Sequence, residues 1–511
     1  MFWDGRRLPA RPGESLLAAL TAAGVTTLRH DAQGAAQGAW CGMGACQACL
    51  VNVDGVSNRR ACMVKVADGM VAVPGGGLEG LSAGSGGAIE GFLRRAADLP
   101  ERRPDVLVIG AGPAGLAAAL VARRAGAEVL LLDERGSAGG QYYKQPAVTA
   151  GPAADAQARE GAALITEALA AGVEMLADTL VWGAYPGPVF VASRGGASFR
   201  VVPGATVIAT GAQEVAWPVP GWTLPGVMTT GAVQGMWRTA RRVPPGRIVI
   251  AGNGPLNLQL AAELVAAGAN VVALVEAARA PGIGQAGVVA RMAASAPGLV
   301  RQGLAYRLRL RGVRMLWGAQ VRAVRPGLEI ETDTGQVLAA DTLCLGYELA
   351  PADELGRGLG QQPGVFSAGD CTTIGGAHVA AAAGALAGAA AARHLGLVAD
   401  AGDAEVRLAR HRGFQAALWT LFAPARPLVG HLTAETIVCR CEGVTAGDVA
   451  AAQAAGAASH AAIKQATRLG MGPCQGRSCA PLLARLAPEA MPAGLAPRAP
   501  VRPVRIADLA R

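Results

Sequence analysis

Eight of the ten cysteines stand in two groups of four, Cys41/Cys46/Cys49/Cys62 and Cys439/Cys441/Cys474/Cys479, with Cys344 and Cys371 isolated between them. Their spacing indicates the chemistry. Cys41-Gly-Met-Gly-Ala-Cys46-Gln-Ala-Cys49, followed by Cys62, is the C-x4-C-x2-C…C arrangement of a plant-type [2Fe-2S] centre. Four thiolates must converge on two irons from one tightly wrapped loop, and Gly42 and Gly44 free the backbone to do so, with N–H groups turned toward sulfur. Zinc is the competing occupant, although glycines between the first two cysteines are not usual zinc spacing. The second group has the form C-x-C…C-x4-C, with Gly472 and Gly476 beside its later cysteines.

Two glycine-rich turns offer a different chemistry. Val106-Leu-Val-Ile-Gly110-Ala-Gly112-Pro-Ala-Gly115 runs from a strand into a helix over Leu116–Arg124, and Asp133-Glu134 closes the next strand, Val129–Leu132. In that context the glycines let a pyrophosphate rest on free N–H groups at a helix N-terminus. Asp133, or else Glu134, then accepts from the ribose hydroxyls. The pattern recurs at Ile248-Val-Ile-Ala-Gly252-Asn-Gly254-Pro-Leu-Asn257, with Glu276 ending the strand Val271–Val275. Here Asn257 replaces the third glycine and puts a side chain where helix and strand pack closely, which weakens the site. An acid at Glu276 favours NAD over NADP, with another adenine nucleotide or a purely structural fold as alternatives.

Two further stretches, Ala205-Thr-Val-Ile-Ala-Thr210-Gly211 and Gly364-Val-Phe-Ser-Ala-Gly369-Asp370, resemble the second and third FAD fingerprints of the pyridine-nucleotide-disulfide oxidoreductase fold. The resemblance implies FAD in the first site, with Asp370 near the ribityl chain and Gly140-Gln141 in the loop beside it; ADP, ATP or NAD in that pocket is the alternative. Disulfide reductases of this fold carry a cysteine pair near the flavin, and Gly139-Gly140-Gln141-Tyr142-Tyr143 has none. The expected flavin therefore does not reduce a disulfide. The C-terminal cysteine group resembles the [2Fe-2S] domain related to bacterioferritin-associated ferredoxin, with zinc again the competitor.

These residues need four units to position them, in line with roughly 150 residues per domain in a chain of 511. Residues 1–75 read as a β-rich ferredoxin-like [2Fe-2S] domain with a short helix over Ser15–Ala23 introduced by Glu14, and 76–103, including the Gly/Ser-rich Ser82–Gly87, as a linker. An FAD-type dinucleotide domain over 104–245 and 336–430 encloses an NAD-type domain over 246–335. A Cys-rich domain follows over 431–485, then a tail over 486–511. Val379–Ala392 reads as a buried helix and Ala404–Phe422 as a connecting helix.

Composition excludes little by itself. Glycine is 71 of 511, about twice the usual ~7%, which suits tight strand-to-helix turns. Net charge is +9, from 46 basic and 37 acidic residues, but the arginines form no run with interleaved aromatics, so a nucleic-acid partner is not expected. Mean hydropathy is +0.31 without a 20-residue uncharged apolar stretch, so no transmembrane segment is expected. Arg6-Arg7 is followed by Pro9, Arg11, Pro12 and Glu14 where the apolar core of an export signal would lie, which points to the cytoplasm, at most peripheral to a membrane.

The order of parts is similar to the iron–sulfur/flavin (alpha or A-type) subunits of the family containing opine oxidases, hydrogen cyanide synthase, D-hydroxyproline dehydrogenase and heterotetrameric sarcosine oxidase. Pro220-Gly-Trp222-Thr-Leu-Pro225-Gly-Val-Met228, Gly375-Gly376-Ala377 and Gly470-Met-Gly-Pro-Cys474-Gln-Gly476-Arg477 carry the resemblance along the chain. The small ferredoxin, a separate subunit in several members, is here fused at the N-terminus. The resemblance implies an α/β multidomain protein: a β-grasp ferredoxin-like domain, a two-dinucleotide-domain flavoprotein core and a small C-terminal [2Fe-2S] domain. It implies electron relay from a separate D-amino-acid-oxidase-like flavoprotein subunit that oxidises an amine or amino acid, with FMN where subunits meet. No catalytic constellation is evident in this chain, and His378 and His460 read as packing or capping residues. A self-contained NADH-dependent reductase and a non-catalytic nucleotide-binding scaffold are the competing expectations.

Overall fold

The computed structural model describes residues 1–31, 34–75, 99–147, 155–428, 431–488 and 497–504; the Ser82–Gly87 stretch, most of the expected linker and much of the tail lie outside the described residues. At the N-terminus a five-stranded sheet runs in the order Arg6–Arg7, Phe2–Trp3, Val71–Pro74, Leu50–Val53, Val56–Arg60. Phe2–Trp3 pairs parallel with Val71–Pro74, and the helix Leu16–Ala22 covers the sheet, its leucines wholly buried. Alternation along Leu50–Val53 sends Val51 and Val53 into the core. Ser15, not Glu14, caps this helix, its hydroxyl accepting from the Ala18 N–H at 3.2 Å. Glu14 instead is fully buried and paired with Arg242, at 2.8 and 2.9 Å.

The first dinucleotide fold is a parallel sheet ordered Glu174–Leu176, Val129–Leu132, Val106–Ile109, Ala205–Ile208, Val365–Ser367. Its central strands are buried on both faces, which is why they read as unbroken Val/Leu/Ile/Ala runs rather than as alternation. This order sets the strands of all three FAD-type fingerprints side by side. Pro113–Arg124 and Ala377–His394 pack against each other on one face. They approach so closely that a Cβ on Gly384 would lie 2.0 Å from the Ala114 carbonyl oxygen and one on Gly388 2.3 Å from that of Ala118. The alanine and glycine content of these helices is thus a packing requirement.

The second sheet runs Val227–Thr229, Thr342–Gly346, Arg247–Gly252, Asn270–Glu276, Arg314–Trp317, drawing two strands from outside the 246–335 segment. The cysteine-rich end is a two-stranded ribbon, Ile437–Cys439 with Val444–Thr445, and three short helices, Ala446–Ala454, His460–Thr467 and Ala480–Leu486. It is fastened to the core by Trp222 Nε1 donating to the Ile437 carbonyl at 2.7 Å and Gln213 Nε2 to that of Arg477 at 2.9 Å. Among the described residues no helix is long and apolar enough to cross a membrane.

Candidate redox and nucleotide site

The N-terminal cysteines come together in a loop whose backbone is turned toward sulfur. The N–H groups of Met43 and Cys46 point at Cys41 Sγ at 3.5 and 3.4 Å, and that of Ala48 at Cys46 Sγ at 3.4 Å. The Cys46 thiol and the loop amides draw Cys41 down to about 6, and contact with Cys62 likewise lowers Cys49, which favours the thiolate form that iron binds. Gly44 is left-handed, with the Arg60 guanidinium and Met63 where its Cβ would be. Gly42 is also left-handed, and a Cβ there would lie 2.8 Å from Ala232 Cβ, so its smallness lets the cysteine loop seat on the helix Thr230–Ala240.

The second group converges too: Cys439 and Cys441 Sγ are 3.9 Å apart, and Cys441 and Cys474 3.8 Å. Contact with the Cys441 and Cys479 thiols pulls Cys439 down to about 3, and contact with Cys441 lowers Cys474 to about 6. Gly472 is needed because a Cβ there would press on Cys441 Sγ at 2.4 Å. The two groups are neighbours: Cys46 lines one cavity together with Cys439, Cys441, Cys474 and Cys479. Both donor sets fit thiolate-held iron–sulfur clusters, with low-lying thiols and backbone freed by glycine against the sulfurs. Cys344 and Cys371 are buried apart from them.

At the first turn Gly110, Gly112 and Gly115 form a tight cradle. A Cβ on Gly110 would fall 2.4 Å from the Ala209 carbonyl oxygen, and one on Gly115 1.7 Å from that of Gly110. Gly112 caps the helix Pro113–Arg124 without a side chain, leaving its first N–H groups open for phosphate. Gly140 meets Gly112, and Gly369 meets Ala114, so the loop and the third fingerprint close on the same turn. Asp370 Oδ1 accepts from the Gly375 and Gly376 N–H groups at 2.9 and 3.1 Å, which fixes its carboxylate at the start of the helix Ala377–His394. The Thr210 hydroxyl donates to the Ala352 carbonyl at 2.6 Å, beside the left-handed Gly211. Gln141 reaches the first cysteine loop, its Nε2 3.4 Å from Met43 Sδ.

The two acids at the strand end differ in their contacts. Asp133 is bonded to the turn: Oδ2 accepts from the Ala111 N–H at 2.6 Å and Oδ1 from the Arg135 N–H at 2.8 Å. Glu134 makes no such bond among the described residues. Although burial opposes its charge, Arg502, Arg60, Arg135 and Arg477 hold its carboxyl below the usual range.

The second turn repeats this geometry with one residue missing. Strand pairing sets Glu276 opposite Gly252, as it sets Asp133 beside Gly110, and Glu276 likewise folds onto its own turn, accepting from Gly254 N–H at 3.1 Å and Ala278 N–H at 3.0 Å. It is wholly buried, and burial raises its carboxyl to about 8. The counterpart of Glu134 is Ala277, whose carbonyl accepts from the Ala425 N–H at 2.8 Å. Trp419 lies over Gly254, 3.0 Å from where its Cβ would be. The helix Ala404–Leu421 therefore does more than connect: its end closes this turn. Asn257 is accommodated by bonding, not by space, donating to the Gly346 carbonyl and accepting from Thr230 Oγ1, each at 2.8 Å.

Several contributors escape sequence reading. Lys144, next to the expected flavin loop, donates to Gln141 Oε1 at 2.7 Å, and burial pushes its ammonium well down. Glu214 accepts from the Gly231 N–H at 2.9 Å, and burial raises it to about 7. Nothing in their spacing marks either residue. His378 stacks on His411 with ring centroids 4.9 Å apart, and His460 Nε2 is 3.1 Å from the Ala487 carbonyl.

The chain matches the family model described as pyridine nucleotide-disulphide oxidoreductase over residues 104–384, a 2Fe-2S iron-sulfur cluster binding domain over 1–74 and a BFD-like [2Fe-2S] binding domain over 437–487. It is 34% identical over 464 residues to the A-type opine oxidase subunit of Agrobacterium tumefaciens (strain Ach5), covering 80% of this chain and 91% of that relative. Hydrogen cyanide synthase subunit HcnB of Pseudomonas aeruginosa is 28% identical across 73% of this chain and 90% of its own length. The HcnA subunit from the same organism is 45% identical over 67 residues, covering 13% of this chain and 64% of its own. Among solved structures, L-proline dehydrogenase from P. horikoshii superposes with a TM-score of 0.72 at 19% identity, covering 100% of this chain and 97% of that one, which shows the shared fold. With one oxidoreductase core between two 2Fe-2S domains, the chain belongs to the family of the A-type opine oxidase subunits.

Proposed function

We propose that the chain is the electron-transfer component of a multi-subunit amine or amino-acid dehydrogenase or oxidase. The observation that carries this is adjacency: the Gly140-Gln141 loop, which packs on the first nucleotide turn, touches the first cysteine loop through Gln141 and Met43, and that cysteine loop shares a cavity with the second cysteine group. A bound flavin accepts two electrons and releases them singly, and [2Fe-2S] clusters carry one each. The chain's own part is to hold these groups in sequence. Gly110, Gly112 and the open N-terminus of Pro113–Arg124 seat a pyrophosphate, Glu134 takes the adenosine ribose, and Asp370, fixed through Oδ1, meets the ribityl chain. Cys41, Cys46, Cys49 and Cys62 hold one cluster, and Cys439, Cys441, Cys474 and Cys479 the other.

The second dinucleotide fold, on this reading, is scaffold. Its acid is turned inward, the ribose position is Ala277, and Trp419 covers the turn, which argues against a self-contained NADH-dependent reductase. Substrate oxidation belongs to a partner flavoprotein, resembling D-amino-acid oxidases, with FMN between the two. Similarity to both the HcnA and HcnB subunits supports a fused ferredoxin. The test is anaerobic spectroscopy of the protein purified with its untagged partners. Amine or amino-acid substrates should bleach flavin and cluster absorbance only when the partner is present, and NADH should leave it unchanged. Immediate bleaching by NADH of the isolated chain would overturn the proposal.

A further inference from the structure

Arg440 sits between the two cysteine groups, inside the sequence Cys439-Arg440-Cys441, yet its guanidinium is turned toward the other domain. Nε donates to Gln37 Oε1 at 3.1 Å, and Nη2 to the carbonyls of Gly38 and Thr223 at 3.0 and 3.3 Å. Gln37 and Gly38 lead directly into Trp40 and Cys41. The remaining nitrogen, Nη1, is buried with no partner among the described residues. The cavity that Arg440 lines is the one shared by Cys46 and the four C-terminal cysteines; Arg29 lines it as well, and among the described residues no carboxylate does. A buried cation with an unmet donor is costly unless an anion faces it. The anions available on either side are thiolate-ligated clusters, each of which gains one negative charge on reduction.

We propose that Arg440 is a positioning residue for electron distribution: its guanidinium, held at the cavity that both cysteine groups line, raises the reduction potential of both clusters. The inference rests on the reading that both cysteine groups hold [2Fe-2S] clusters. Charge and hydrogen bonding near the sulfurs set such potentials, and a cation favours the more negative, reduced form. The contacts to Gln37, Gly38 and Thr223 hold that charge at the shared cavity instead of letting it reach solvent.

The test is a potentiometric titration of the full chain carrying its clusters, followed by electron paramagnetic resonance. Arg440→Gln should retain iron and sulfide yet lower both potentials, leaving a reduced-to-oxidised ratio about tenfold smaller at the parent midpoint, or 59 mV for a one-electron couple. Arg440→Lys should restore most of the shift. Gln37→Glu, which neutralises the guanidinium without touching the cysteine loop, should lower both potentials as well, so the test survives even where Arg440→Gln loses a cluster. A merely structural role predicts the opposite sign, because opening the cavity to water favours the more highly charged reduced form. Unchanged or raised potentials in Arg440→Gln and Gln37→Glu, with iron intact, would overturn the proposal. Iron and sulfide amounting to fewer than two clusters in the parent protein would overturn the reading beneath it instead.

Discussion

Glu134 and Glu276, an acid at the end of a strand in each dinucleotide fold, should behave oppositely when neutralised. Glu134→Gln removes the charged acceptor assigned to the adenosine ribose and changes little else, since the turn is held by Asp133 through Ala111 and Arg135. A hydrogen bond to a charged group contributes about 1.5–3 kcal/mol, so affinity for an adenine dinucleotide should fall roughly 10- to 150-fold. Glu276→Gln should leave it unchanged, because that carboxyl faces Gly254 and Ala278 inside its own fold. The assay is binding of FAD, and of ADP as the shared fragment, to nucleotide-depleted protein, followed by fluorescence or calorimetry with intact clusters as the folding control. Both ligands carry the ribose and pyrophosphate, so the comparison holds whichever one the crevice takes. Unchanged affinity in Glu134→Gln, or an equal loss in Glu276→Gln, would refute the assignment and the reasoning from register behind it.

Further expectations follow from buried groups and close contacts. Glu276 and Glu214 have carboxyls raised by burial to about 8 and about 7, so the folded state keeps their protons longer than the unfolded chain does. Stability from these groups is therefore full below about pH 4.5 and lost as pH rises toward 8, on the order of a few kcal/mol; melting temperatures across that range should flatten in Glu276→Gln. Arg242→Met strands the fully buried Glu14 charge and should cost about 3–5 kcal/mol at the seam between the N-terminal domain and the core. Limited proteolysis should then release that domain, and Glu14→Leu in the same chain should largely restore resistance. Gly388→Ala drives a Cβ to 2.3 Å from the Ala118 carbonyl oxygen and should destabilise by about 1–3 kcal/mol, whereas Gly303→Ala, with open space in an exposed helix, should stabilise by about 0.5–1 kcal/mol; thermal melts of the pair separate the two cases.

What the sequence makes legible is what it encodes locally. Cys41 to Cys62, the Gly110 turn and the strand Val129–Leu132 could be read because ligand spacing, glycine placement and apolar runs are short-range requirements of a metal loop or a βα turn. The contacts that decide how these parts work together join residues far apart and of ordinary type: Glu14 with Arg242, Arg440 with Gln37, Met43 with Gln141, Trp419 over Gly254. No spacing rule selects them. Asp133 is an intermediate case. Two adjacent acids end the strand, and only the folded structure shows that the first is bonded to the turn; the same register places Ala277 in the second fold where the first has Glu134. The second fold also has a positioning part to play, whatever its turn binds. Its helix Thr230–Ala240 is the surface on which Gly42 seats the first cysteine loop, and its residue Thr230 is bonded to Asn257 at the altered turn. The residue that departs from the nucleotide-binding pattern thus helps hold the helix that positions a redox loop.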